Sequence, residues 1–358
     1  MSSSFTHLHV HTHFSLLDGL PKIDQLLDRV EELGMDSVAI TDHGNLYGAI
    51  EFYNKAKARG IKPIIGCEIY LATESMSQKR PGVDDKNYHM IVLAKNLTGY
   101  QNIVKILTRG HLDGYYYKPR VDEEFLSRHS EGLIALSACL NGRVSSAIAA
   151  GNMEEATATA LRYSKIFGQD NFYLELQHHP TLEKQAIVNQ GLLSISRSTG
   201  IPIVATADSH YLKPEDAEAQ DVLMLINTGS RADDPERLTL KEIDCSFKSA
   251  EDMQSIFKET PEAIENTQKV AERCNVELEL GTMRLPAYPL PAGKTADGYL
   301  RELCEEGMKD RPDILKHPKA IERLDYELDV IRETGYASYF LIVQDFVKWS
   351  KENRIVVG

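Results

Sequence analysis

Apolar residues recur at Ile23, Leu26, Leu27, Val30 and Leu33, the spacing of a helix that buries one stripe, and Gly34 closes the run as a C-terminal cap would. Directly afterwards Ser37-Val38-Ala39-Ile40 has the short continuous apolar pattern of a buried strand. The exchange of periods then repeats. Helices are expected over about 46–59, 97–109, 145–150, 153–167 and 181–199, and strands over about 62–71, 88–94, 132–137, 172–176 and 203–206. With an alternating run at the N-terminus, that makes seven strands interleaved with helices. Such alternation predicts a parallel α/β sheet with right-handed crossovers, here a distorted seven-stranded TIM-like barrel.

Past residue 217 the pattern turns mostly helical, and Thr260-Pro261-Glu262 reads as a helix start with Pro at the first helical position. The stretch 281–294 carries Pro286, Pro289, Pro291 and Gly293 and reads as a linker, as 74–86 reads as a surface loop. Three helices are expected beyond it, over about 296–309, 318–333 and 339–353, and Ile355-Val356-Val357-Gly358 resembles the beginning of a strand. The expected organisation is a barrel over about 5–212, a helical extension over 213–280, the linker, and a separate segment over 295–358.

The N-terminal run, His7-Leu8-His9-Val10-His11-Thr12-His13, changes the picture from architecture to chemistry. On a strand its four histidines would share one face. Polar donors also fall at or just past the ends of the other strands: Asp18, Asp42 and His43, Glu68, Cys139, His178 and His179, Asp208 and His210. In an α/β barrel the C-terminal strand ends converge on one mouth. A lone His or Asp after a strand is usually a turn residue, but N, O and S donors recurring at one end of successive strands point to a metal site. His89 opens its strand and fits the rule less well. His7 and His13 are expected to be structural or supporting, and Asp42 and His179 to support ligands rather than ligate.

Composition narrows the setting. In 358 residues the formal charge is −13, which disfavours indiscriminate nucleic-acid binding without excluding a nuclease. The scattered Cys67, Cys139, Cys245, Cys274 and Cys304 form no CxxC pair, which favours a reducing, cytoplasmic setting. No apolar run reaches membrane-spanning length, and no membrane partner is expected.

A donor set rich in His and carboxylate suits Zn²⁺, with Mn²⁺ or Fe as rivals. It exceeds the needs of one tetrahedral ion and implies two or three. Clustered divalent ions are a device for phosphoester hydrolysis, with a metal-bound hydroxide as the expected nucleophile. Beside this, Tyr115-Tyr116-Tyr117-Lys118-Pro119-Arg120 places aromatics next to cations. Tyr117, Lys118 and Arg120 are candidate DNA or phosphate contacts, although a Tyr-rich packing loop with snorkelling cations fits equally well.

The motifs His9-x-His11, Thr41-Asp42-His43-Gly44, Gly66-Cys67-Glu68, Ser137-Ala138-Cys139-Leu140 and Asp208-Ser209-His210 resemble the polymerase and histidinol phosphatase (PHP) domain. Together with Ser15-Leu16-Leu17-Asp18-Gly19, Tyr116 to Asp122 and Tyr339-Phe340-Leu341-Ile342-Val343, the chain resembles the N-terminal part of the C-family replicative polymerases, the bacterial DNA polymerase III alpha subunits. That resemblance implies a PHP barrel holding up to three ions, with His9, His11, Asp18, His43, Glu68, His89, Cys139, Asp208 and His210 as ligands. It also implies 3′–5′ proofreading of a nascent strand. The expected partners are a primer–template 3′ end, the remainder of the polymerase, and replisome proteins such as a sliding clamp, clamp loader or proofreading subunit. Residues 295–358 would open the polymerase palm without its catalytic aspartates, so this piece is not expected to polymerise, and Mg²⁺ would belong to the parent's polymerase site. The competing readings are a PHP phosphatase acting on a small ester and a non-catalytic scaffold braced by metal.

Overall fold

The computed structural model describes residues 5–241, 243–282 and 284–358, and separates into two compact units, 1–278 and 279–358. The first unit runs α1 (Ile23–Glu32), β1 (Ser37–Ile40), α2 (Ala49–Ala58), β2 (Lys62–Ala72), β3 (Asn87–Ala94) and α3 (Leu97–Leu112). It continues through β4 (Tyr115–Tyr116), β5 (Lys118–Val121), α4 (Glu123–Arg128), β6 (Leu133–Leu136), α5 (Arg143–Ala149) and α6 (Met153–Phe167). After β7 (Phe172–Gln177), α7 (Glu183–Thr199) and β8 (Ile203–Thr206) come α8 (Ala217–Thr228), α9 (Ala250–Ile256) and α10 (Pro261–Arg273), the last with Thr260 as N-cap and Pro261 in the first turn.

The strands form a curled mixed sheet in the order β1, β2, β3, β6, β7, β8. The extended N-terminal segment lies between its two ends. The Ala39 and Thr41 amides donate to His7 O and Val10 O, and the His11 amide donates to Ser209 O at 2.8 Å. This gives seven strands around a distorted α/β barrel. The expectation of an all-parallel sheet needs correction, because β3 is antiparallel to both β2 and β6. The loop 73–86 reverses the chain before β3, where a crossover helix would be needed for a parallel neighbour.

That reversal decides where the chemistry falls. The mouth lies at the C-terminal ends of the parallel strands, and an antiparallel β3 brings its first residues there. His89 pairs with Tyr70, two residues beyond Glu68 on β2.

Side-chain alternation sorts the rest into two layers. Ile64, Ile91, Ile134, Leu136 and Val204 fill the barrel with Leu8 and Ala39. The C-terminal turn of α10 adds Val270, Ala271 and Cys274, and the Asn275 amide donates to Lys95 O at the end of β3 away from the mouth. Outward residues such as Val38, Ile65, Val92 and Leu174 join Leu26, Leu27, Phe52 and Ile103 of the surrounding helices.

The N-terminal alternation is not kept. Leu8 enters the barrel interior, yet His9 beside it also turns inward, while His7 stacks on Phe247 at 3.8 Å with its Nε2 2.9 Å from Lys248 O. The segment makes isolated bridges rather than a continuous ladder, so the histidines do not share one face. Burial pushes His7 down to about 4, which fits a neutral structural imidazole.

In the second unit, α11 (Ala296–Lys309), α13 (Ala320–Thr334) and α14 (Ala337–Glu352) pack around Leu300, Ala337 and Leu341, and the short α12 (Pro312–Leu315) connects α11 to α13. Residues 355–358 form no strand, contrary to their apolar pattern. No helix among the described residues is long and apolar enough to cross a membrane.

Candidate metal centre

The mouth gathers donors from several strand ends. His9 Nε2 lies 2.8 Å from Glu68 Oε2, 3.0 Å from His11 Nε2 and 3.1 Å from Asp208 Oδ1. His11 Nε2 is also 3.2 Å from Glu68 Oε2 and 3.4 Å from Asp208 Oδ1. A second group adjoins it: His11, His43 and His210 each offer a nitrogen within reach of one ion, as do His9, His11, Glu68 and Asp208 in the first. Asp18 links to the second group, with Oδ2 3.0 Å from His43 Nε2 and Oδ1 3.7 Å from His210 Nε2. His89 meets Glu68 through Nδ1, and Cys139 Sγ stands 3.9 Å from the same nitrogen.

The backbone helps aim these groups. Ala138 and Asp208, just past β6 and β8, have φ of 62° and 49°, a left-handed conformation that L-residues adopt at a cost of about 1–3 kcal/mol. Such strain, kept in two places at one mouth, is characteristic of functional sites.

Supporting contacts fix the ring orientations. His9 Nδ1 is 2.7 Å from Glu175 Oε1, which also accepts from Gln177 Nε2 and Thr206 Oγ1. This carboxylate–histidine pair turns Nε2 toward the cluster, the arrangement used to orient metal-bound imidazoles. His11 Nδ1 lies 3.0 Å from Ser15 Oγ, whose hydroxyl donates to Asp42 Oδ1 at 2.6 Å, and Thr12 donates to Asp42 from both N and Oγ1. Asp42 is thus one step removed from the cluster. His210 Nδ1 meets Asp208 O at 2.9 Å, and Gln220 Nε2 donates to Asp18.

The electrostatics are those of a site waiting for positive charge. Burial opposes a charged imidazole, yet Asp208, Glu175 and Glu68 outweigh it and hold His9 well above the usual histidine value. His43 and His210 are raised in the same way to about 10, His43 by Glu68 and Asp18, His210 by Asp18 and Asp208. Burial likewise works against ionised Glu68, Asp208 and Asp18, but the surrounding imidazoles hold all three below the normal carboxylate range. Burial, then Glu68 and Asp208, pushes the Cys139 thiol well up.

Glu68 Oε1, Asp208 Oδ1 and His43 Nδ1 are buried and, among the described residues, face only other members of the cluster, without a well-formed hydrogen bond. Two imidazole nitrogens at hydrogen-bond distance, flanked by such under-satisfied atoms, fit a divalent cation. The ring of donors opens into a cavity of about 340 Å³ whose lining also includes Leu182, Met224 and Leu240.

Other sequence candidates separate here. His179 is buried in the cavity wall with Nδ1 unpaired, outside both donor groups, and His178 is exposed on another pocket. His13 is half-buried, with Nδ1 3.4 Å from Pro21 O. Lys118 lines the cavity, while Tyr117 is 66% exposed and does not line it. Arg120 corrects the expectation of a phosphate contact. It is fully buried, and its guanidinium donates to Gly114 O, Asp84 O and Gln78 O, tying β5 to the loop before β3. Glu175, Ser15 and Gln220 escaped the sequence reading. A lone carboxylate inside the apolar run Phe172–Leu176 was the signal for Glu175; Gln220 offered none.

Comparison with known proteins bears on this geometry. Residues 7–179 match the model of the PHP domain, and 298–358 match that of the bacterial DNA polymerase III alpha NTPase domain. Over 99% of its length the chain is 44% identical to the DNA polymerase III subunit alpha of Borreliella burgdorferi and 42% identical to that of Treponema pallidum. The chain belongs to the DNA polymerase III alpha subunit family. It spans 31% of the Borreliella relative and 30% of the Treponema relative. Among solved structures, it is similar to a two-domain protein from Bacteroides vulgatus containing a predicted PHP-like metal-dependent phosphoesterase. That match is 13% identical, with a TM-score of 0.34, and covers 74% of this chain and 62% of the other; so loose a superposition carries no argument about function. In this family member the PHP match ends at His179, whereas Asp208 and His210 of the donor cluster come from the same compact unit beyond it.

Proposed function

We propose that the first unit is a metal-dependent phosphodiesterase acting as a 3′–5′ exonuclease, within a replicative DNA polymerase of which this chain forms the N-terminal part. The observation that carries this reading is the pair of adjoining donor groups that meet at the buried His11 and whose His43, Glu68, Asp208 and His210 line a cavity. With Nδ1 held by Ser15, His11 has only Nε2 to offer one ion: His9, His11, Glu68 and Asp208 would hold that ion and Asp18, His43 and His210 another, with His89 and Cys139 completing the set. Zn²⁺ suits these donors best, with Mn²⁺ or Fe as alternatives. When bound, such ions lower the pKa of water and neutralise charge on a phosphodiester.

The chain's own residues supply the rest. Glu175 keeps His9 turned inward, the Asp42–Ser15 pair does so for His11, and the closed apolar interior beneath excludes water from the floor. The partners would be a DNA 3′ end and the remainder of the polymerase chain.

The test is digestion of a 3′-mismatched, end-labelled primer–template by the purified protein with Zn²⁺, with Mn²⁺ and with chelator. The expected result is metal-dependent shortening from the 3′ end that a His9→Ala, Asp208→Asn double variant abolishes. Shortening by that variant at the wild-type rate would refute the assignment.

A further inference from the structure

Lys118 is the only lysine or arginine among the described residues that line the metal cavity, where Asp18, Glu68 and Asp208 supply negative charge. Its ammonium is exposed and stands 5.4 Å over the ring of Tyr70. Tyr70 in turn lies edge-on to His89 at 5.2 Å and parallel to His43 at 6.2 Å. A single cation therefore stands one aromatic ring away from two candidate ligands.

Its mount is rigid. Arg120 anchors β5 through three carbonyls, and Pro119 presses on the loop that follows His43. Gly44 there has φ of +62°, and a Cβ on it would come within 2.9 Å of Pro119 Cγ and 3.1 Å of the Tyr70 ring. The strand that carries Lys118 and the loop that carries His43 are thus held together by a contact only glycine permits.

The cavity's size and lining state what Lys118 faces. About 340 Å³ is at the lower end of small-ligand sites, which run from about 300 to 1,000 Å³. That volume is on the scale of one nucleotide rather than of a base pair. Leu182, Met224 and Leu240 are apolar members of its lining, against which a base can lie.

We infer that Lys118 grips the phosphate of an unpaired 3′-terminal nucleotide lying in the metal cavity, so that the site takes single-stranded ends. This rests on the nuclease reading of the same cavity, and its test measures binding instead of cleavage. The probe is a short 5′-fluorescein oligodeoxythymidylate whose last linkage is a phosphorothioate, followed by fluorescence anisotropy in Zn²⁺ across a salt series. A blunt duplex of the same label is the comparison.

Lys118→Met is expected to weaken single-strand binding by about tenfold. It should also flatten the plot of log affinity against log salt by about 0.7. Lys118→Arg should restore both, zinc content should be unchanged in either variant, and the duplex should bind weakly throughout. Wild-type affinity and slope in Lys118→Met, or equal binding of blunt duplex, would overturn the inference. So would loss of zinc from Lys118→Met, because the lysine would then act through the ions. Lys118-dependent binding without any cleavage of a mismatched primer would remove the nuclease reading and leave the grip; cleavage with Lys118-independent binding would do the reverse.

Discussion

The same strands build two opposite environments. Below, Ile64, Ile91, Ile134 and Val204 pack with Leu8 and α10 into a dry interior. A few residues further along, the N-terminal segment, β2, β3 and β8 present His9, Glu68, His89 and, just past its end, Asp208. The cluster below is built mainly of apolar side chains and is stabilised chiefly by their burial. The upper half buries carboxylates and imidazoles that cost free energy to desolvate and that are satisfied largely by one another. The interior therefore supplies the stability against which the mouth is assembled, and the two should fail in different ways.

The largest effect should come from damaging the lower half. Ile134 is fully buried, and Ile134→Ala should destabilise the protein by about 2–5 kcal/mol, measured by urea unfolding, while the folded fraction keeps its metal. Loss of metal from protein that is still folded would show that the two halves are not separable. A smaller effect is expected at the mouth. Glu175→Gln keeps the shape but removes the charge that orients His9, and should weaken metal affinity by about 10- to 100-fold with little change in unfolding midpoint in chelator. Unchanged affinity in calorimetry would remove Glu175 from the account.

The mildest probe is pH. With His43 and His210 held at about 10, the metal-free site carries protons that an ion must displace. Uptake should release protons and tighten as pH rises from about 6 to 9. Affinity that is flat or falls over that range would contradict the raised imidazoles.

How far the sequence revealed this differs between the two halves. Periodicity located most helices and strands of the barrel to within a few residues, because each buries one clear face, but it missed the short β4, β5 and α4. The clustering of donors at strand ends likewise marked most of the mouth. Strand direction was hidden, since a period of two is the same for parallel and antiparallel pairing. His89 therefore looked misplaced until β3 was seen to run backwards. Alternation also misjudged His7, because an irregular step between Leu8 and His9 changes which face each histidine takes. Arg120 and Lys118 look interchangeable in the sequence, yet one is locked onto carbonyls and the other faces the cavity. Their environments come from the loop 73–86 and the β2–β5 pairing, which are contacts distant along the chain.

The most direct test of a multi-ion centre is anomalous diffraction at the zinc edge from crystals of the zinc-loaded protein. The account predicts one peak among His9, His11, Glu68 and Asp208 and a second among Asp18, His43 and His210. An empty mouth, with zinc found only at surface groups such as His178, would contradict it.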